Sequence, residues 1–359
     1  MASLPVAVIG AGPTGLMCAV ILAELNVPVE IYERNVGPNT EWRAPGIHAR
    51  TMEMLARYGL ADAVLAAGET VFGMVARLNG RLHEGPSLCH MRSEFPMLVS
   101  CAQTDTEQIL RDRLAKLGVR IHWGLEFVDY AYEASGITAY FCHTATDSDG
   151  QARATTRATD KELLAHQCAY LIGCDGGRSR VRKTIGAVFE GKTLDASIAV
   201  CDVHMQVSRL PTACFTLHPD GQLITFRVRL NEYRAFVMWT DDPPEMTPEV
   251  LAETIRKRMQ PEDVGSLQVQ SCSQFTINER RASRFISDDK HVFLCGDAAH
   301  VHSPAGGQGM NMSMQDAENL AWKLAMVYHG RANADVLDTY AIERIPVADR
   351  TIRLSGALF

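Results

Sequence analysis

Short apolar runs bounded by glycine or proline alternate with longer helical stretches at the start of the chain. Residues 6–9 (VAVI) lie between Pro5 and Gly10, and such a run predicts a buried strand. The apolar-rich stretch 13–25 predicts a helix, and residues 29–32 predict a second strand. This order of strand, helix and strand is typical of the opening of a doubly wound parallel sheet.

The alternation continues along the chain and is interrupted by one sheet-rich region. Further helices are predicted at 49–67 (broken near Gly59), 104–117, 247–259, 310–328 and 334–354. Further core strands are predicted at 119–122, 170–174 and 292–295, and an exposed hairpin loop at 144–161. Between 190 and 285 the alternating stretches, such as 223–228 and 235–239, predict a second sheet, inserted into the first α/β domain.

Composition narrows the class of protein. The 359 residues are 47% hydrophobic and carry a net charge of −7, which argues against nucleic acid or an anionic membrane as partner. No apolar run reaches the ~20 residues of a membrane helix, and the glycine-interrupted N-terminus does not predict a signal peptide. The ten cysteines include no CxxC pair, so we expect reduced thiols in a cytoplasmic enzyme with small-molecule ligands.

A glycine-rich turn follows the first strand. In the run Gly10-Ala11-Gly12-Pro13-Thr14-Gly15 the first glycine permits a tight turn, the second lets the backbone approach a pyrophosphate, and the third lets helix and strand pack closely. Glu33 ends the second strand, where a carboxylate can accept a hydrogen bond from a ribose hydroxyl. Together they predict a dinucleotide site.

Two more glycine-containing segments follow predicted core strands. Residues 175–182 (DGGRSRVR) combine an acid, a hydroxyl and three arginines, a cluster that can present cations to phosphates. Residues 295–300 (CGDAAH) and 304–311 (PAGGQGMN) lead into the helix at 310–328. His300 and His302 have no third ligand at metal spacing, so no metal site is predicted.

These segments, with 43–60 (RAPGIHARTMEMLARYGL) between them, resemble the p-hydroxybenzoate-hydroxylase class of FAD-dependent aromatic hydroxylases along essentially the whole chain. The resemblance implies a Rossmann-type FAD-binding domain, at 1–189 and 286–359, interleaved with a sheet-rich substrate domain at 190–285. It also implies that Asp297 hydrogen-bonds the ribityl chain, that Gln103 contacts the flavin, and that the helix at 334–354 serves packing and not chemistry. The remaining implied FAD-binding residues, besides the glycine-rich turn and Glu33, are Arg34, Arg43, Arg111, Asp175, Pro304, Gly307, Gly309, Met310 and Asn311.

The resemblance further implies tightly bound FAD, transient NAD(P)H, and hydroxylation of an aromatic or polyketide-like molecule with O2 through a flavin C4a-hydroperoxide. The single glycine-rich turn fits a nicotinamide cofactor that visits only transiently, and no catalytic side chain is predicted. Epoxidation, Baeyer–Villiger oxygenation and a FAD-binding protein with little turnover stay open as alternatives. The motifs do not distinguish NADH from NADPH, and homo-oligomerisation is left open.

Two further expectations concern the substrate and the end of the chain. Arg227, Tyr233, Trp239 and His218 are weighed as pocket residues, although each is more simply explained as an ordinary sheet residue. Members of the family that this sequence resembles usually continue well past the helix that corresponds to 334–354, whereas this sequence stops at Phe359. We therefore expect the site to be closed by other means or by a partner, or NAD(P)H oxidation to be uncoupled from oxygenation.

Overall fold

The computed structural model describes residues 4–40, 45–133, 136–146, 152–153, 163–207, 211–259 and 264–357. The helices are α1 (Pro13–Glu24), α2 (Ala49–Arg57), α3 (Ala61–Ala67), α4 (Gln103–Lys116), α5 (Arg180–Thr184), α6 (Pro248–Arg258), α7 (Gly309–Tyr328) and α8 (Asp338–Gly356). The strands are β1 (Val6–Ile9), β2 (Val29–Glu33), β3 (Gly46–Ile47), β4 (Glu69–Val71), β5 (Gly73–Leu78), β6 (Arg81–Ser87), β7 (Leu98–Ser100), β8 (Arg120–Trp123), β9 (Leu125–Glu133), β10 (Gly136–His143), β11 (Ala145–Thr146), β12 (Ala152–Arg153), β13 (Leu164–Cys168), β14 (Tyr170–Gly173), β15 (Phe189–Val207), β16 (Ala213–His218), β17 (Gly221–Arg229), β18 (Glu232–Met238), β19 (Val264–Ala282), β20 (Val292–Leu294) and β21 (His300–Val301).

A five-stranded parallel sheet lies at the centre of the first compact unit, which comprises Met1–Glu41, Thr106–Lys192 and Asn278–Phe359. Its strand order is β20-β14-β1-β2-β8, and Val6 of β1 pairs with Tyr170 on one side and with Val29 on the other. All four residues of β1 are buried, as expected for a central parallel strand covered on both faces. The buried helix α1 packs against α7 on one face of this sheet.

A histidine and tyrosine cluster joins the parallel sheet to the three-stranded sheet β13-β10-β9. The Tyr32 hydroxyl donates to Glu30 Oε2 at 2.7 Å, and the Tyr32 ring stacks on Phe141 with centroids 4.2 Å apart. His166 Nδ1 lies 3.2 Å from the same hydroxyl. Because the hydroxyl proton goes to Glu30, Nδ1 of His166 is the donor in that contact. Burial, with a smaller contribution from His122, holds the pKa of His166 below its usual value.

We expect stability to fall as the pH is lowered from 7.5 to 5.5. The pKa of His166 and of His302 is lowered in the folded state, chiefly by burial, so the unfolded chain takes up protons that the folded chain does not. Unfolding is then favoured at acidic pH. Urea unfolding across this range measures the effect. A His166→Gln variant, which keeps an N–H donor, should show a shallower dependence, and a flat profile for the parent chain would contradict the idea.

The second compact unit comprises Trp42–Asp105 and Thr193–Ile277. Its main sheet has the order β19-β15-β18-β17-β16-β5-β6, beside a small sheet β3-β7-β4. Leu251 and Ile255 of α6 pack into the core on one face of the main sheet. The opposite face carries half-buried apolar side chains, and these are Phe215, Ile224, Phe226, Phe236 and Met238.

The units differ from the predicted domain division. Residues 42–105, predicted within the FAD-binding domain, cluster with the second unit because β5 pairs with β16 and not with the parallel sheet. The segment from Asn278 belongs to the first unit, where Arg280 pairs with Val301. The assignment of the second unit to substrate binding stays a prediction.

The structure contains the predicted helices and core strands, with ends that differ by a few residues. The helix predicted at 49–67 is two helices separated near Gly59, and the core strands and long helices lie where the apolar pattern placed them. In the predicted loop 144–161, β11 pairs with β12, and the other residues from 147 to 162 lie outside the described part of the chain. Within the described ranges, no helix has the length and apolar character needed to cross a membrane.

Candidate functional site

Four of the predicted site segments meet at one edge of the parallel sheet. Gly10 follows β1, Glu33 ends β2, Asp175 comes after β14 and Asp297 after β20. Because neighbouring strands run parallel, their carboxyl ends lie together. The chain leaves β1 towards β2 on one side and returns as β14 on the other, so this edge contains the topological switch point at which α/β sheets bind ligands.

The glycine-rich turn has the geometry that its spacing predicts. Gly10 has φ +109°, and a Cβ there would lie 2.4 Å from the Cys174 carbonyl oxygen. A Cβ on Gly15 would lie 2.0 Å from the Gly10 oxygen, so both positions exclude a side chain. At Gly12 a Cβ would meet no atom of the described residues within 4 Å, apart from its chain neighbours, so the backbone there is open to a ligand.

Glu33 fixes the turn. Its Oε2 accepts a hydrogen bond from Ala11 N at 2.8 Å, and its Oε1 accepts one from Asn35 N at 2.9 Å. Each carboxylate oxygen can accept more than one hydrogen bond, so the side chain keeps capacity for a ribose hydroxyl. Pro13 and Thr14 open α1 directly after the turn.

The CGDAAH segment forms a tight turn against the start of α1. Gly296 has φ +62°, and a Cβ there would lie 2.7 Å from Thr14 Oγ1 and 2.9 Å from Ser313 Cβ. Asp297, the next residue, is exposed in the 3-10 turn Gly296–Ala298. The fold therefore presents an acid beside the glycine-rich turn.

The three arginines of 175–182, a cluster that can present cations to phosphates, differ in burial and contacts. Arg182 is 4% exposed and donates to the Ala298 oxygen at 2.9 Å and the Gly177 oxygen at 2.8 Å. Its guanidinium lies 3.7 Å from the Phe189 ring centroid, and burial lowers its pKa. Arg182 thus braces the CGDAAH turn, whereas Arg178 and Arg180 are exposed.

The two carboxylate oxygens of Asp175 differ in their hydrogen bonding. Its Oδ2 accepts hydrogen bonds from Arg180 N at 2.6 Å and Val181 N at 3.1 Å, at the start of α5. Its Oδ1 is buried and makes no hydrogen bond within the described part of the protein. A ligand donor would satisfy that oxygen.

The segment 304–311 forms a compact loop before α7. Gly307 N donates to the Pro304 oxygen at 3.0 Å, and Asn311 Nδ2 donates to the Gly307 oxygen at 2.9 Å. A Cβ on Gly309 would meet nothing within 4 Å, whereas Met310 is 8% exposed. The loop therefore leaves open backbone where the helix begins.

These features fit a large anionic dinucleotide such as FAD. In the part of the chain that the structure describes, α1 and α7 have no side-chain cap and no acid in their first turns, so the positive ends of their helix dipoles are not neutralised. The backbone is open at Gly12 and Gly309. Arg111 Nη1 is buried, lies 3.5 Å from Glu107 Oε2, and has no hydrogen-bond partner among the described residues. A cofactor with phosphate and hydroxyl oxygens would use these donors.

Three further predicted site residues, Gln103, Arg34 and Arg43, keep their FAD contacts as predictions. Gln103 begins α4 in the second unit, and Arg34 is exposed directly after β2. Arg43 lies outside the described residues. Among the residues described, no group of His, Cys, Asp and Glu could hold a metal ion, and His300 contacts Asp316 instead.

Sequence reasoning missed the apolar sheet face of the second unit. Its residues alternate with the core residues of β17 and β18, so 224 and 226 point away from the α6 side. Tyr233, weighed as a pocket residue, is 4% exposed in the core on the α6 side. The signal was present in the sequence as consecutive apolar residues, at 223–224 in β17 and at 235–238 in β18, which predict two covered faces there.

Known proteins match this arrangement. A 6-methylpretetramide 4-monooxygenase from Streptomyces rimosus is 34% identical over 97% of this chain, and the chain spans 60% of that relative's length. A solved p-nitrophenol 4-monooxygenase from Pseudomonas putida DLL-E4 has a TM-score of 0.86 at 25% identity, over 99% of this chain and 88% of that one. Aklavinone-11 hydroxylase, solved with FAD and aklavinone, has a TM-score of 0.82 at 27% identity, over 97% and 67%.

The family comparison agrees with the site. A family model described as FAD binding domain matches residues 3–355. That match covers the glycine-rich turn, both later motifs and the two long C-terminal helices. The chain therefore belongs to the FAD binding domain family, with FAD as its cofactor.

Proposed function

We propose that the chain is a flavin-dependent monooxygenase that uses NAD(P)H and O2 to hydroxylate an aromatic or polyketide-like molecule. The observation that carries the proposal is the meeting of Gly10, Glu33, Asp175 and Asp297 at one sheet edge. The relatives support it, since their names include p-nitrophenol and pentachlorophenol monooxygenases. A cytoplasmic location is part of the proposal, in keeping with ten free thiols.

The chain's own residues would bind and orient the cofactor. When bound, FAD supplies the redox and oxygen chemistry that amino-acid side chains lack. Glu33 would accept a hydrogen bond from a ribose hydroxyl, the first turn of α1 would hold the pyrophosphate, and Asp297 would accept one from the ribityl chain. The positive end of α7 would stabilise negative charge on the reduced ring.

The second unit offers a surface suited to a flat apolar substrate. Phe226 and Phe236 lie edge to face, with ring centroids 6.3 Å apart, on its half-buried sheet face. Aromatic side chains of this kind stack favourably on planar rings. On the same face Asp202, whose side chain is 17% exposed, pairs with Arg234 at 2.5 Å, and its carboxylate gives one polar contact for a substrate hydroxyl. We propose that substrate lies on this face.

The test begins with the purified protein, which should be yellow and should release FAD on denaturation. NAD(P)H oxidation should be accelerated by some members of a panel of phenols, and one atom of labelled O2 should appear in the product. A Phe236→Ala variant should raise the KM for the substrate while leaving bound FAD unchanged. A colourless protein, or NAD(P)H oxidation that no phenol accelerates, would contradict the proposal. An epoxide product would favour epoxidation, and a lactone product would favour Baeyer–Villiger oxygenation. A measurement of the molecular mass in solution on the same preparation gives the oligomeric state.

A further inference from the structure

A fully buried carboxylate lies directly behind the turn that presents Asp297. Asp316, in α7, is 0% exposed. Its Oδ2 accepts hydrogen bonds from His300 Nε2 at 2.6 Å and from Gly296 N at 3.3 Å. Its Oδ1 accepts one from Arg344 Nε at 2.5 Å. Gly296 begins the turn Gly296–Ala298 and His300 lies two residues after its end, so one side chain contacts the chain at both ends of this segment.

The carboxylate is kept charged by these contacts. Burial alone would raise the pKa of Asp316, but the neighbouring His300 and Arg344 outweigh it and lower that pKa. An unpaired charge at a site of this burial is strongly destabilising, so the arrangement persists only because every partner is in place. The turn is therefore held by a charged network and not by packing alone.

Helix α8 supplies the outer half of this network. Arg344 reaches Asp316 and also donates to the Met312 oxygen at 3.4 Å. One turn earlier, Tyr340 is fully buried and its hydroxyl donates to the Leu294 oxygen at 2.7 Å. Leu294 is the last residue of β20, so α8 fixes the strand end and, through Asp316, the turn that follows it. The sequence predicted only packing for this helix.

We propose that Asp316 and Arg344 are positioning residues for FAD, which hold the Gly296–Ala298 turn so that the Asp297 carboxylate meets the cofactor. The inference rests on the proposed role of Asp297 in binding FAD. Neither residue needs to touch the cofactor, because Asp316 acts through Gly296 and His300. Loss of either partner lets the turn move and leaves the other charge uncompensated.

The test measures FAD affinity of the apoprotein by flavin fluorescence, together with apoprotein thermal unfolding and the midpoint potential of the bound flavin. Asp316→Asn and Arg344→Gln should each raise the Kd for FAD by at least about tenfold. They should also shift the midpoint potential, because Asp297 no longer lies at one fixed position. The double variant should bind FAD no more weakly than Asp316→Asn alone, since both changes break one network.

Glu343→Gln is the matched control. Glu343 accepts hydrogen bonds from Lys323 at 2.8 Å and Asn319 at 2.7 Å, so it also joins α7 to α8, but these contacts do not involve the turn. This variant should lose some thermal stability and keep the parent Kd and potential. If Asp316→Asn does not fold, Arg344→Lys, which keeps the charge but has a shorter reach, should still raise the Kd.

The possible failures are distinguishable. Parent-like Kd and potential in Asp316→Asn and Arg344→Gln would overturn the inference, and so would an equal rise in Kd for Glu343→Gln. Asp297→Ala serves as the reference and should raise the Kd by about tenfold or more. If Asp297→Ala binds FAD normally, the proposed site itself is wrong, and the positioning role falls with it.

Discussion

A Gly12→Val variant should fold as stably as the parent chain and yet bind FAD at least about a hundredfold more weakly. A Cβ at this position meets no protein atom within 4 Å, and the backbone, at φ −78° and ψ −179°, suits valine. The added methyl groups would instead occupy the space that we assign to the pyrophosphate. Apoprotein thermal unfolding and fluorescence titration with FAD measure the two quantities separately.

Gly15→Ala provides the contrast. Its Cβ would lie 2.0 Å from the Gly10 oxygen, so the helix must move away from the turn and the apoprotein itself should be destabilised. Gly265→Ala is the neutral control, because its nearest neighbour would be at 3.5 Å, an ordinary contact distance in the second unit. If Gly12→Val retains parent affinity, the cofactor does not pass this backbone and the assignment of the turn is wrong.

Arg182→Met should lower the free energy of unfolding by about 2–4 kcal/mol. The variant keeps the apolar part of the side chain but removes the donors to the oxygens of Ala298 and Gly177. Buried carbonyls without partners are costly, and methionine cannot donate to the two oxygens that the planar guanidinium reaches. Urea unfolding of the apoprotein, with the m-value checked for constancy, gives the change.

Arg180→Met controls for the loss of a positive charge in the same helix. Arg180 is exposed and its Nε donates to the Val128 oxygen at 3.1 Å, so its replacement should cost no more than about 0.5 kcal/mol. An equal loss of unfolding free energy in the two variants would show that the hydrogen bonds of Arg182 contribute nothing beyond its charge. Arg182→Lys should fall between them, because one ammonium is not shaped to hold both carbonyls.

The sequence predicted those features whose cause is local. Buried strands such as β1 are short apolar runs ended by glycine, and Gly15 is required because a Cβ there would meet the oxygen of Gly10, five positions earlier. Strand β6, by contrast, is exposed along its whole length and has no apolar alternation, so nothing in residues 81–87 predicted it. The inclusion of 42–105 in the second unit likewise depends on a pairing with β16 that is distant in sequence.

Side-chain roles that depend on distant partners were the hardest to predict. In the sequence Arg182 is one of three arginines in a polar segment. Its role in stabilising the CGDAAH turn depends on a hydrogen bond to the Ala298 oxygen, which is 116 positions away. Asp316 and Arg344 occur in amphipathic helices where charged residues are normally solvated. Their burial follows from the packing of α7 and α8 beneath β20, which no local pattern encodes.

The interleaved order of the parallel sheet has a consequence for synthesis on the ribosome. Strand β1 is made first but lacks its neighbour β14 until residues 170–173 have been translated, and β20 must wait for residues 292–294. The contacts of Tyr340 with Leu294 and of Arg344 with Asp316 form later still. The nascent chain therefore carries an apolar strand with an open edge until β14 has been made, which exposes it to chaperones, and flavin loading has to wait for the segments that complete the site.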